Sequence, residues 1–136
     1  MEIKDILLLV VPALSAFITY VLTKRAKRDE AIFKYKEEKY GNLILLIQGF
    51  LDKGSKNTPD IQNKFFEEQY KSWLYSSDEV VLAVNNLVSV LRNANKGEIV
   101  SAHVAGEVIV AMRKDMLKNT KLKASDFQFT IVGKNS

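Results

Sequence analysis

Residues 6–23 carry no charge. The run reads ILLLVVPALSAFITYVLT, with Asp5 before it and Lys24 after it. In helical conformation its 18 residues rise about 27 Å at ~1.5 Å each, close to the roughly 30 Å hydrocarbon core of a bilayer. The pattern predicts one membrane-spanning helix. A core helix of a soluble protein would be apolar along one stripe and polar elsewhere, whereas this run is apolar all round. A cleaved signal peptide would carry its basic cluster before the apolar stretch and small residues at its end. Here Lys24, Arg25, Lys27 and Arg28 follow the stretch, and Tyr20-Val21-Leu22 is a poor cleavage context.

Past the basic cluster the apolar positions change period. Phe33, Tyr40, Leu43, Ile47 and Phe50 are spaced by sevens, threes and fours, and Lys36 occupies the position where an apolar residue is missing. This is a heptad-like stripe, short for a coiled coil, and it lets the helix continue from the membrane to about residue 51. DKGSKNT at 52–58 reads as a loop. Thr58-Pro59-Asp60 then supplies an N-cap, a first-turn proline and a first-turn acid. The helix it starts carries Ile61, Phe65, Phe66, Tyr70, Trp73 and Leu74, an aromatic density that points to the main core contact. Ser76 and Glu79 have capping-box spacing ahead of a third helix with Val80, Val84, Leu87, Val88 and Leu91 on one stripe. Asn95-Lys96-Gly97 ends it. A fourth helix over about 98–117 has an apolar face that includes Ile99, Ala102, Val110 and Met116. Residues 118–123 read as loop, Ser125-Asp126 as the cap of a short turn, and 127–132 as a short strand or an extended tail.

The fold class expected is all-α: a single transmembrane helix running into a cytosolic helical bundle of about four helices, with a short extended C-terminal tail. The expected organisation is a membrane anchor over 1–23, a juxtamembrane basic helix over 24–51 and a helical domain over 52–136. Core residues expected for that domain are Phe65, Trp73, Val84, Leu87 and Met112.

Composition refines this picture. Hydrophobic residues make up 47% of the 136-residue chain, ordinary for a globular protein and too few for a multi-span one. With no Cys, a disulfide, a thiolate zinc site and a thiol nucleophile are all excluded. The net charge is +4, and the excess sits mainly in Lys24, Arg25, Lys27 and Arg28. Positive flanks stay on the cytoplasmic side. The expected placement is therefore the bacterial inner membrane, single-pass, with the N-terminus outside and the helical domain in the cytoplasm. The four cations are read as a contact with anionic lipid headgroups, ahead of any binding to a nucleic-acid duplex.

No catalytic constellation stands out. His103 is the one His, so a metal site would rest on carboxylates. Glu37-Glu38 and Glu67-Glu68 are sequence neighbours, so each pair diverges by about 100° on a helix and makes no acid/base couple. No glycine-rich phosphate loop is present. No cofactor is expected, and an enzyme is the weakest reading. Two features invite a partner. Pro12, Ser15, Ala16 and Thr19 fall at i, i+3, i+4 and i+7, a small and weakly polar face suited to close helix packing in a membrane. Arg113, Lys114 and Asp115 end an otherwise apolar helix. They read either as a helix C-terminus complementing the dipole or as a contact for a small anionic ligand or a partner carboxylate.

Trp73-Leu74-Tyr75-Ser76-Ser77-Asp78-Glu79-Val80, then Ala83 and Asn86, then Ala111-Met112-Arg113-Lys114-Asp115-Met116, then Thr120, Leu122, Asp126 and Phe127 form a pattern that resembles small bacterial proteins of unassigned function, in which a membrane span or coiled segment precedes a compact helical domain. The resemblance covers residues 65–129. It implies a shared domain and transfers no activity and no catalytic residue. The organisation is also similar to that of small membrane-anchored effectors of bacterial phage defence, an analogy of architecture alone. The function expected from these readings is non-enzymatic: a membrane-anchored helical domain that binds a cytosolic protein or itself as a homo-oligomer. The alternative is a membrane-disrupting or pore-forming effector gated by a ligand.

Overall fold

The computed structural model describes residues 2–51, 59–93 and 102–128. Four α-helices follow one another: α1 (Ile3–Leu51), α2 (Pro59–Ser72), α3 (Asp78–Asn93) and α4 (Ala102–Leu117). A single 3-10 turn, Ala124–Asp126, follows them. The fold is all-α, and no strand occurs among the described residues. The chain divides into two compact units, Met1–Tyr35 and Lys36–Ser136.

The first unit is helix throughout its described length apart from Glu2. Pro12 sits inside the helix. It has no N–H to give the carbonyl of Leu8, a loss that a helix in lipid tolerates when neighbouring groups compensate. The apolar run is exposed on every side, and α1 is long and apolar enough to cross a membrane. In water such a surface would be unfavourable by about 25 cal/mol per Å², so an apolar solvent is the physical complement of this stretch.

The second unit holds the core. Tyr40, Leu43 and Ile47 of α1 pack with Phe65 of α2, Val80, Val84, Leu87 and Val88 of α3, and Ala105, Val108, Ala111 and Met112 of α4. The heptad-like stripe of α1 is therefore used inside the chain from Tyr40 onward. Tyr40, Leu43 and Ile47 are thus covered by the protein's own α2–α4, Phe33 remains 39% exposed, and the Phe50 side chain lies outside the described residues. Lys36–Leu51 belongs with the bundle; contacts group it with the rest of the second unit, where the sequence suggested a separate juxtamembrane segment.

Local signals explain the element ends. Ser77 caps α3, its hydroxyl accepting from the N–H of Val80 at 3.3 Å. The cap is thus one residue later than the Ser76–Glu79 box predicted, and Glu79 turns outward. α4 stops at Lys118, whose φ of 66° is the left-handed conformation common just past a helix. Asp126 accepts from the Lys123 N–H at 2.8 Å and closes the 3-10 turn. That turn lies against α4 at Gly106. A Cβ there would collide with the Ala124 carbonyl oxygen and stand 3.1 Å from the Ala124 carbonyl carbon and the Phe127 Cβ. Only glycine allows this approach.

Three expectations are corrected. α2 ends at Ser72, so Trp73 falls in the following turn and is 59% exposed. Tyr70 and Leu74 are exposed as well. The buried face of α2 runs through Phe65, Gln69 and Ser72, and Trp73 is no core residue. On α4, Ala102 is exposed and the buried stripe is Ala105, Gly106, Val108, Ala111 and Met112. Gly106, on the buried stripe, faces the 3-10 turn. The Thr58 cap, the 52–58 loop, Ile99, the Asn95-Lys96-Gly97 stop and the extended tail at 129–132 lie outside the described residues.

Burial separates the aromatics by a measurable margin. Phe65→Ala should cost about 3–5 kcal/mol, whereas Trp73→Ala should stay within about 0.5 kcal/mol. Gly106→Ala should fall with the overpacking class at about 1–3 kcal/mol. Thermal unfolding of the detergent-solubilised protein checks all three, and equal losses for Phe65→Ala and Trp73→Ala would contradict the packing described.

Candidate functional site

The polar centre of the second unit is the Asp115 carboxylate. Its side chain is 8% exposed. Lys36 Nζ donates to Oδ2 at 2.8 Å, and the Tyr40 hydroxyl donates to the same oxygen at 2.6 Å. The backbone N–H of Ser77 donates to the carboxylate too. Lys36 is 16% exposed at its side chain, so both members of the ion pair are largely withdrawn from water. The Tyr40 ring stacks obliquely on Tyr75, with centroids 5.9 Å apart and planes at 47°. One carboxylate thus joins α1, the first residue ahead of α3 and α4.

Electrostatics follow from this arrangement. Burial pushes the Asp115 carboxyl up. The hydrogen bonds from Lys36 and Tyr40, the Lys36 charge and the Ser77 N–H outweigh it and hold the group below the ordinary carboxylate range. Burial raises the Tyr40 phenol, and its bond to Asp115 raises it further, while Ser76 beside it works in the opposite direction. The phenol stays protonated as the donor to Asp115.

The side chains singled out at the end of α4 do not converge. Arg113 Nε donates to Thr120 Oγ1 at 3.0 Å, which fastens the loop after the helix. Lys114 Nζ pairs with Glu79 Oε1 at 3.2 Å across to α3. Asp115 turns inward. Ser77, Asp78, Glu79, Lys114, Asp115 and Lys118 line a shallow groove beside the buried node. Its three carboxylates face two ammonium groups, a balance with no net attraction for an anion.

Apart from His103, the other candidates lie in the first unit. Pro12, Ser15, Ala16 and Thr19 are all exposed on α1. The Thr19 hydroxyl donates to the Ser15 carbonyl at 2.8 Å, so its proton is already used within its own helix. Lys24, Arg25, Lys27 and Arg28 are exposed in the turns that follow. Lys24 Nζ lies over the Tyr20 ring, 5.7 Å from its centroid. His103 pairs with Glu107 at 3.2 Å on the surface of α4. No group of three or more metal-ligating side chains occurs among the described residues.

No family model matches the chain, and neither a curated protein nor a solved structure matches it.

The Lys36–Tyr40–Asp115 node escaped the reading of the sequence, yet its signal is present there. Lys36 stands in the apolar stripe of α1, and Asp115 follows Val108 by seven and Met112 by three, in the stripe of α4. Two opposite charges, each in a core-facing position, are each other's natural partner.

Removing one charge strands the other in a poorly hydrated site. Asp115→Ala or Lys36→Met should each cost about 3–5 kcal/mol. The pH dependence has a definite sign. The folded value for Asp115 lies below the unfolded one, so its contribution is complete above about pH 4 and is lost as pH falls through the lower folded value. For Tyr40 the folded value lies above the unfolded one, so its contribution is complete below about pH 10 and is lost as pH rises further. Unfolding titrations of the wild type and Asp115→Asn across the acid range check this: the variant should lose part of the acid-side slope, and an unchanged slope would remove Asp115 from the account.

Proposed function

We propose that this chain is a non-enzymatic single-pass membrane protein of the bacterial inner membrane. α1 anchors it with the N-terminal flank outside, and the helical domain stands in the cytoplasm, where it binds a partner protein or a second copy. The observation that carries the reading is the apolar run of α1, exposed on all sides and followed directly by Lys24, Arg25, Lys27 and Arg28. The same helix goes on to supply Tyr40, Leu43 and Ile47 to the core of the second unit. A domain built on the helix that anchors it suits recruitment. The polar atoms of its best-formed cluster are engaged in holding helices together, which favours binding over chemistry.

A second reading is a membrane-disrupting effector whose spans assemble into a pore, gated by a ligand at the helical domain. It is favoured by the face of Pro12, Ser15, Ala16 and Thr19, all exposed at helical spacing.

Alkaline carbonate extraction of membranes tests the anchor: the protein should remain in the pellet, and release into the supernatant would end the reading. Crosslinking of the full chain in native membranes tests the binding role. Adducts with another protein or a ladder of its own multiples are expected, and a bare monomer would count against it. Dye leakage from induced cells separates the second reading. Ser15→Leu with Thr19→Leu should abolish leakage if that face assembles a pore, and unchanged leakage would remove its physical basis.

A further inference from the structure

The cytosolic end of the span carries a pattern finer than a count of positive charges. Tyr20, Lys24, Lys27 and Arg28 stand at i, i+4, i+7 and i+8, a spacing that places them on one helix face about 100° wide. Arg25 lies off that face, about 100° round from Lys24. The acids of the stretch are directed elsewhere. Glu30 pairs with Lys34 at 3.1 Å, and Asp29 stands nine residues after Tyr20, roughly on the opposite side of the helix. Among the described residues no ion pair engages Lys24, Lys27 or Arg28.

Direction matters as much as charge. Cα–Cβ bonds on a helix tilt toward its N-terminus, so side chains that follow the span lean back toward it. Lys24 does this: its ammonium rests over the Tyr20 ring at 5.7 Å. Tyrosine is an interfacial residue, with an apolar ring and a polar tip. The contact therefore fixes one cation at the depth where the ring meets the headgroups, and Lys27 and Arg28 stand one turn further on the same face.

We propose that Tyr20, Lys24, Lys27 and Arg28 form a binding face for the phosphate of an anionic glycerophospholipid in the leaflet around the cytosolic end of the span. The proposal rests on the reading of α1 as a membrane anchor and adds the chemical class of lipid and the residues that select it. The occupant is the lipid headgroup, because the face is continuous with an apolar surface that the acyl chains cover. The two lysines supply compact charges, and Arg28 supplies a planar fork that fits two phosphate oxygens. Arg25 contributes to the general field and to topology without belonging to the face.

The test uses the full chain reconstituted in nanodiscs of phosphatidylcholine with a minor fraction of phosphatidylglycerol, with retained lipid read by native mass spectrometry. The wild type should retain phosphatidylglycerol in preference to phosphatidylcholine. Each of Lys24→Gln, Lys27→Gln and Arg28→Gln should lower that preference roughly fivefold, while Arg25→Gln should leave it within about twofold. Tyr20→Phe should behave as wild type, and Tyr20→Leu should lower the preference as Lys24→Gln does. Equal losses for Arg25→Gln and Lys24→Gln would overturn the face in favour of bulk charge. An indifferent wild type would overturn the proposal outright. Carbonate extraction of native membranes holding the same protein keeps the two failures apart: protein that stays in the pellet but shows no lipid preference in nanodiscs refutes the face alone, whereas protein that is extracted refutes the anchor beneath it.

Discussion

A carboxylate with little water around it needs donors in its place, and in this chain the donors come from two places outside the helix that carries it. Lys36 and Tyr40 reach Asp115 from α1, and the Ser77 N–H reaches it from the residue that caps α3. The pairing fixes more than an energy. A buried ion pair is often worth no more than a well-packed apolar pair, but one left unmatched is costly. The arrangement therefore acts chiefly against alternatives. If α1 slipped by one turn, one of Lys36 and Tyr40 would take the other's place and Asp115 would lose one of its two donors. If the cap of α3 moved, the Ser77 N–H would turn away. The apolar contacts of Leu43, Ile47, Phe65 and Leu87 supply the driving force, and the polar node selects which packing they settle into.

The second constraint is a change of surface along one helix. Residues 6–23 present apolar surface in every direction and make no core. From Tyr40 the helix presents one buried stripe, with Tyr40, Leu43 and Ile47 all within 2% of complete burial. Between the two lies a charged stretch that suits neither lipid nor a packed interior. Helix propensity is high across it, with Ala, Lys, Arg and Glu frequent, and Lys34 with Glu30 adds an i,i+4 pair. Local propensity thus carries the helix through a region that core packing does not reach.

Periodicity made much of this legible. The uncharged run, the stripe of α3 and the continuation of α1 into a heptad-like pattern can each be read from spacing alone, because a strong pattern has one physical explanation. What escaped was decided by tertiary geometry. Trp73 looked like core because aromatic residues dominate buried area, yet the turn that ends α2 at Ser72 leaves it outside. Ser76 and Ser77 are equally good caps by type, and it is the Ser77 hydroxyl that accepts from the N–H of Val80. Gly106 carried no sequence signal, since its role depends on the approach of Ala124. The Asp115 site was legible in principle and missed in practice. The cluster Arg113-Lys114-Asp115 reads as a solvated helix end when its charges are taken together. Taken by register, only Asp115 falls on the stripe of Val108 and Met112, and only that residue needed a partner from another helix.

This has a consequence for how function is sought in such chains. A charged residue in an apolar stripe is commonly taken as a mark of a binding site, and here the strongest instance is spent on the fold. The cations left over are those that the fold does not use. Lys36 is matched by a buried carboxylate, Lys114 by Glu79 and Arg113 by the hydroxyl of Thr120. Lys24, Lys27 and Arg28 have no such carboxylate among the described residues, and they stand beside the long apolar run of α1. Unmatched charge next to unmatched apolar surface is the chemistry of an amphiphile, and that juxtaposition is what the proposed anionic-lipid face is built from.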